Sequence, residues 1–381
     1  MITTEAWVLH RGPSESVPGE LKRTGYSFPD LEADEVLAEP LYGCWEGNMT
    51  HALERRPIDV CRHRGEDQVV LGNAGVVRVL KIGARVSALR AGDICGLISA
   101  AELDPAGYPK KILAYDAPGT MGVLARQMKL REFQLFRIPE HSRHSLPQWA
   151  AYTVRYATAW DNWRTAQGAW RLQMGDQEHR PVYVWGWGGG VGLGELLLAK
   201  AAGYRAALIC STDERIELCL RLGIEAIDRR RFLDLRFDQS RFKEDIDFRR
   251  RYMRAEHAFL ETVEQRTSGN GVSIFIDNIG RPVYRATLNA LGRQGVIATS
   301  GWKEGMELPV VRARECINRH IHVFTHGARY DTSAIRYAEK HGWLPPVDGA
   351  VCEWNEIADL AHAYGRGRID SYFPVFRINP A

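Results

Sequence analysis

A chain of 381 residues, 45% hydrophobic and 25% charged, is long enough for two or three domains and has the composition of a globular protein that buries a core. Its formal charge of +3 is small for that length and gives no electrostatic case for nucleic-acid or membrane binding, so neither partner is expected. Seven scattered cysteines without a Cys-x-x-Cys pair exclude a disulfide framework and a thiolate zinc knuckle, and a reducing, cytoplasmic setting is the expectation. The N-terminal run Met1-Ile-Thr-Thr-Glu-Ala-Trp7 lacks the basic-then-apolar pattern of a signal peptide, and no apolar run has the length of a bilayer span.

Along residues 1–155, short strand-like segments alternate with Gly, Pro and Asp turns. Glu35–Glu39, Gly75–Leu80 and Asp93–Ile98 are examples, and their spacing predicts a β-rich, barrel-like module. The pattern changes near Trp149. A helical periodicity over Ala150–Gln167 leads to a strand at Pro181–Trp185, a glycine cluster, and an apolar helix at Glu195–Ala202. A strand at Ala206–Cys210 and a helix at Asp213–Leu222 follow. Later strands are predicted at Val272–Asp277, Gly295–Thr299 and His320–Phe324. Strands alternating with helices imply a parallel sheet of βαβ units. Residues 229–258, rich in Arg and Asp with Phe and Tyr between them, read as a helical insertion with a solvated face. From Asp331 on, two helices and a terminal strand at Tyr372–Arg377 are expected to return to the first module.

The strongest chemical signal is Val182-Tyr-Val-Trp-Gly186-Trp-Gly-Gly189-Gly190-Val191-Gly192-Leu-Gly-Glu-Leu196. Glycines at 186, 189 and 192 lie between a predicted strand and a predicted helix. There the backbone must turn tightly and approach a pyrophosphate, and the helix start presents free N–H groups to it. A glycine turn that only packs helix on sheet is the plain alternative. Trp187 is unusual in such a loop; outward packing with no role is the expectation for it. The second strand ends at Cys210-Ser211-Thr212-Asp213-Glu-Arg215. No carboxylate stands at the strand tip to hold both ribose hydroxyls. Ser211, Thr212 and Arg215 can instead bind a ribose phosphate, so NADPH is the expected cofactor. Ser211 and Thr212 can also serve only as helix caps. Asn278, in Asp277-Asn-Ile-Gly280, and Ser300, in Thr299-Ser-Gly301, follow predicted strands, where ligands of doubly wound sheets sit.

With these residues in place, the chain resembles the medium-chain dehydrogenase/reductase superfamily along nearly its whole length. The resemblance rests on Gly186–Gly192 and on Leu218-Cys-Leu-Arg-Leu-Gly223-Ile-Glu-Ala-Ile-Asp228. It implies an α/β fold in which a GroES-like β-barrel catalytic domain (1–157 and 328–381) is joined to a doubly wound Rossmann domain (158–327), here with an insertion at about 229–258. Zinc-dependent members carry Gly-His-Glu where this chain reads Gly72-Asn73-Ala74-Gly75, and Cys44, near the usual first ligand, has no partner. No metal is expected, because a catalytic zinc needs three protein ligands.

Within the superfamily the chain resembles the crotonyl-CoA reductase and carboxylase/reductase branch. The charged insertion after Asp228, Ala157-Thr158-Ala159-Trp160 and Phe324-Thr-His326-Gly-Ala-Arg-Tyr330 carry that likeness. The resemblance puts Thr158 near the nicotinamide or phosphates. It matches Asn48 and His326 to the branch's carbon-dioxide pocket, and its Phe-Glu pair stands shifted to Tyr115-Asp116. The catalytic candidates are therefore Asn48, Tyr115, Asp116 and His326, with Asp116 positioning His326. Each also has an ordinary alternative, as a turn residue, a core tyrosine, a turn cap or a strand-end hydrogen bond. Without a zinc Lewis acid, conjugate reduction is favoured over carbonyl reduction, since hydrogen-bond donors suffice for the enolate. The expectation is an NADPH-dependent reductase of an enoyl thioester on CoA or a carrier protein, with reductive carboxylation as a further option. Arg249, Arg250 or Arg254 could meet a CoA phosphate. A quinone or enone reductase acting on a free small molecule and a catalytically silent NADPH-binding protein stay open. The family's habits imply a homodimer.

Overall fold

The computed structural model describes residues 1–14, 17–175, 181–301, 303–305, 310–321, 323–347 and 349–381. They form two compact units, Met1–Ala157 with Arg329–Ala381, and Thr158–Ala328.

In the first unit the short β-branched segments pair antiparallel. Leu21–Phe28, Ile2–His10 and Gln68–Val70 make one sheet. Leu135–Arg137, Ile94–Leu97, Gly75–Ile82, Glu35–Cys44 and Val375–Arg377 follow one another across a second, curled one. Alternate residues such as Val36, Ala38, Val77 and Val79 turn into one core, as a period of two requires. The strand expected at Glu35–Glu39 runs on to Cys44, which donates its N–H to the Ala74 carbonyl at 3.2 Å. The terminal strand is shorter than expected and begins at Val375, because Pro374 has no N–H to give a ladder. It pairs with Tyr42–Cys44, and Gly43 is required there: a Cβ would stand 2.4 Å from the Phe376 ring.

The second unit holds a six-stranded parallel sheet. Its order is Glu225–Asp228, Arg205–Cys210, Tyr183–Trp187, Val272–Ile276, Leu291–Ala298, Val323–Thr325. In chain order this is 3-2-1-4-5-6, so the direction of winding reverses between the first and fourth strands, the point at which doubly wound sheets bind their ligands. His322, within one predicted strand, lies outside the described residues. Helices Gly190–Ala201, Asp213–Arg221, Ile246–Arg266 and Arg281–Ala290 serve as crossovers, and the helix Leu146–Met174 belongs to this unit from Thr158 on.

The charged insertion is less separate than its composition implies. It runs into the helix Ile246–Arg266, which buries Tyr252, Glu256, Phe259 and Val263 along one stripe. Glu256 accepts from Tyr252 Oη at 3.0 Å, Arg285 Nε at 3.1 Å and Asn289 Nδ2 at 3.1 Å, tying this helix to Arg281–Ala290. Arg250 remains on the exposed face, 3.7 Å from Asp247. Trp187 also departs from expectation. It is 2% exposed and stacks on Phe259 at 5.4 Å, so it is core rather than an outward ornament of the loop.

Candidate functional site

The glycine turn lies at the reversal point of the parallel sheet. Gly186 ends the first strand against the fourth; a Cβ there would meet Ile276 Cβ at 3.3 Å. Gly192 lets the following helix ride close, with a Cβ 3.4 Å from the Trp187 carbonyl. Gly189 is different. It is the N-cap of the helix Gly190–Ala201 at φ 156°, offers no side chain to cap it, and a Cβ there would meet nothing within 4 Å. The first turn, Gly190, Val191 and Gly192, has N–H groups without intrahelical carbonyls. They face the open space that Gly189 leaves, a fit for an anionic diphosphate.

The tip of the second strand supplies the next part. Arg215 Nη1 donates to Ser211 Oγ at 3.2 Å, on the exposed surface. Thr212 Oγ1 accepts from the Arg215 N–H at 3.4 Å and so caps the helix Asp213–Arg221. Sequence reasoning missed Arg230. Its guanidinium pairs with Asp213 at 2.5 Å and Asp228 at 2.9 Å, and holds both carboxyls below the usual carboxylate range. The only signal for it was the triple arginine directly after Asp228. The two acids are thus both ion-paired with Arg230, which offsets one of their two charges.

The fourth and fifth strand ends are bound into one unit. Asp277 Oδ1 accepts from the N–H groups of Ile279 and Gly280, each at 3.0 Å, and its Oδ2 from Thr287 Oγ1 at 2.7 Å. Thr287 in turn accepts from Trp187 Nε1 at 2.8 Å, so the loop tryptophan anchors the glycine turn to the neighbouring one. Burial pushes the Asp277 carboxyl up, against these donors. Asn278 Oδ1 accepts from Ser300 N at 2.7 Å and Ser300 Oγ at 3.2 Å, bringing the two predicted residues together. Thr158 is half-buried on its helix. His326 is exposed, with Nδ1 2.9 Å from the Thr299 carbonyl. That contact makes Nδ1 the donor and leaves Nε2 as the acceptor of the neutral ring.

The other three catalytic candidates lie in the first unit. Asn48 is the second residue of the helix Gly47–Glu54, and its Oδ1 is buried with no partner among the described residues. Tyr115 packs against the barrel core, and its hydroxyl is pushed up to about 12, chiefly by burial, so it is a donor at neutral pH. Asp116 Oδ1 accepts from the Ile112 N–H at 2.6 Å and holds its own turn.

The residues around Cys44 do not fit a zinc ion. Arg155 Nη1 lies 2.7 Å from Cys44 Sγ and 2.7 Å from Glu46 Oε1, and its Nη2 donates to the Trp45 carbonyl at 2.7 Å. A guanidinium fills the place a cation would take. Burial pushes the Cys44 thiol up to about 12, so it is not a ready thiolate, and pushes the Glu46 carboxyl up to about 7 against the pull of Arg155. Among the described residues no three His, Cys, Asp or Glu side chains gather as a metal group.

Comparison with known proteins agrees with this architecture. The family profile described as zinc-binding dehydrogenase matches residues 190–336. A crotonyl-CoA reductase of Streptomyces collinus is 25% identical over 239 residues, 61% of this chain; the match spans 50% of that relative's length. The structure of the crotonyl-CoA carboxylase/reductase AntE in complex with NADP superposes with a TM-score of 0.79 at 19% identity, covering 100% of this chain and 95% of that one. The 2-octenoyl-CoA carboxylase reductase CinF, in complex with NADP and 2-octenoyl-CoA, gives 0.77 at 19% identity, covering 98% and 87%. The chain shares its fold with these carboxylase/reductases, and its sequence is similar to that of crotonyl-CoA reductases.

Proposed function

We propose that the chain is an NADPH-dependent reductase that delivers hydride to the β-carbon of an enoyl thioester, carried by CoA or a carrier protein, with carbon-dioxide capture as a variant of the same reaction. The observation that carries this reading is the pairing of an uncapped glycine turn with Ser211 and Arg215 at a strand tip whose acids are ion-paired with Arg230. The amides of Gly190, Val191 and Gly192 would hold the diphosphate and Ser211 and Arg215 the ribose phosphate. Thr158, Asn278 and Ser300 would line the ribose and nicotinamide. Bound coenzyme supplies the hydride.

The chain's own residues do the remaining work. As charge moves onto the thioester oxygen, the Asn48 amide and the neutral Tyr115 hydroxyl stabilise it as hydrogen-bond donors, which is worth on the order of 10²-fold in rate per donor. His326, its ring held by Thr299, orders the group that reaches the α-carbon, a proton or carbon dioxide. The fold's rigid strand ends align the reactants. The Arg155 guanidinium beside Cys44 and Glu46 supports conjugate reduction, which needs less polarisation than carbonyl reduction.

The test follows NADPH oxidation with crotonyl-CoA and with a simple enone, with and without bicarbonate, and weighs the products by mass spectrometry. Oxidation with crotonyl-CoA is expected. Oxidation with the enone alone would replace the thioester reading by a quinone or enone reductase. A product of unchanged mass in bicarbonate would remove carboxylation. NADPH binding without turnover of either would leave a silent binding protein.

A further inference from the structure

Glu195 is the sixth residue of the helix that opens on the glycine turn, in the run Gly-Leu-Gly-Glu-Leu-Leu-Leu. Packing alone asks for an apolar residue there, since the side chain is fully buried. Its Oε2 has no hydrogen-bond partner among the described residues, while Oε1 accepts from Asn162 Nδ2 at 3.0 Å. Asn162 is also fully buried, and its Oδ1 accepts the N–H of Gly327 at 3.1 Å. Gly327 presses directly on the backbone of Asn162's helix, Leu146–Met174: a Cβ there would stand 2.6 Å from the Asp161 carbonyl. The next residue back is His326, whose ring meets Thr299.

This chain of contacts has a direction. An asparagine amide can sit two ways round, and only one puts an oxygen towards Gly327 N–H. The Gly327 N–H excludes the flipped amide, which would set its NH₂ against that donor, and Glu195 Oε1 accepts the NH₂ that the observed orientation turns towards it. We propose that Glu195 is a positioning residue: through Asn162 it fixes the Gly327 backbone and hence the aim of His326 in the reductive reaction. The role in turnover rests on the function proposed above; the role in fixing Gly327 does not. The raised carboxyl, pushed up to about 8 by burial, fits a group kept for its hydrogen bond rather than its charge.

The experiment compares Glu195→Gln, Glu195→Leu and Asn162→Ala with the wild-type chain. Glutamine keeps an acceptor for Asn162, whereas leucine fills the space without one. In Glu195→Leu, kcat with crotonyl-CoA should fall by roughly 10- to 100-fold, as small misplacements of a catalytic group do. The KM for NADPH should hold, and thermal stability should fall modestly, since burying an apolar side chain only partly offsets the Asn162 NH₂ left without its acceptor. Glu195→Gln should keep most of kcat. Glu195→Leu should add nothing to the loss in His326→Gln. Amide exchange at Gly327 should quicken in Glu195→Leu and Asn162→Ala, and the ring-nitrogen shifts of His326 should move. Unchanged exchange and ring shifts in Glu195→Leu, or equal losses in the glutamine and leucine variants, would overturn the proposal. If the wild-type chain does not turn over crotonyl-CoA, the functional reading has failed, and exchange and ring shifts alone decide the positioning role.

Discussion

Burying Glu195 without a cation ties the stability of the protein to pH. Its carboxyl titrates at 4.5 in an ordinary environment and at about 8 in the fold, because burial penalises the charged form more than the Asn162 hydrogen bond favours it. Between those two values the folded chain holds a proton that the unfolded chain has released. Stability then falls as pH rises, by about 1.4 kcal/mol for each pH unit. The contribution is fully present below pH 4.5 and lost as pH climbs through about 8, a total of about 5 kcal/mol over the window. Glu195→Gln removes the proton and keeps the shape. Urea denaturation at half-unit steps from pH 5 to 9 should show the glutamine variant gaining on the wild-type chain steadily up to about pH 8, then levelling. Other raised carboxyls, such as Glu46 and Asp277, act equally in both proteins and cancel in the difference. A stability difference that stays constant from pH 5 to 8 would refute the reasoning, for it would mean that the carboxyl ionises in place.

Three further outcomes are expected. Arg215→Ala should weaken NADPH binding by about tenfold through loss of one charge-assisted hydrogen bond and leave NADH unchanged, as read by calorimetry. Gly189→Val should abolish coenzyme binding, since its Cβ enters only the space the diphosphate would use, and should cost about 1–3 kcal/mol of stability because φ 156° is a conformation valine rarely adopts. Arg155→Ala leaves Cys44, Glu46 and the Trp45 carbonyl buried without their donor, and should lower unfolding stability by about 3–5 kcal/mol. Added zinc should not restore it; recovery with stoichiometric zinc would show that the guanidinium had displaced a functional metal site.

The sequence by itself determined the two kinds of architecture, because each rests on a local periodicity. Alternating β-branched segments between turns fix the antiparallel unit, and strand–glycine–helix succession fixes the parallel one. It also determined the glycine turn and the Ser211–Arg215 tip, where the residues concerned lie within a few positions of one another. Partners separated by many residues were decided only by tertiary structure. Trp187 looked idle in its loop until the fold set it against Thr287, 100 residues on. Cys44 looked partnerless until Arg155 reached it across 111 residues. Glu195 looked like one more residue of an apolar helix until Asn162, and through it Gly327, came to rest on it. Periodicity records which face of an element is buried, but not what it is buried against. The guanidinium set against Cys44, and the carboxyl set against Asn162, are properties of the packed interior.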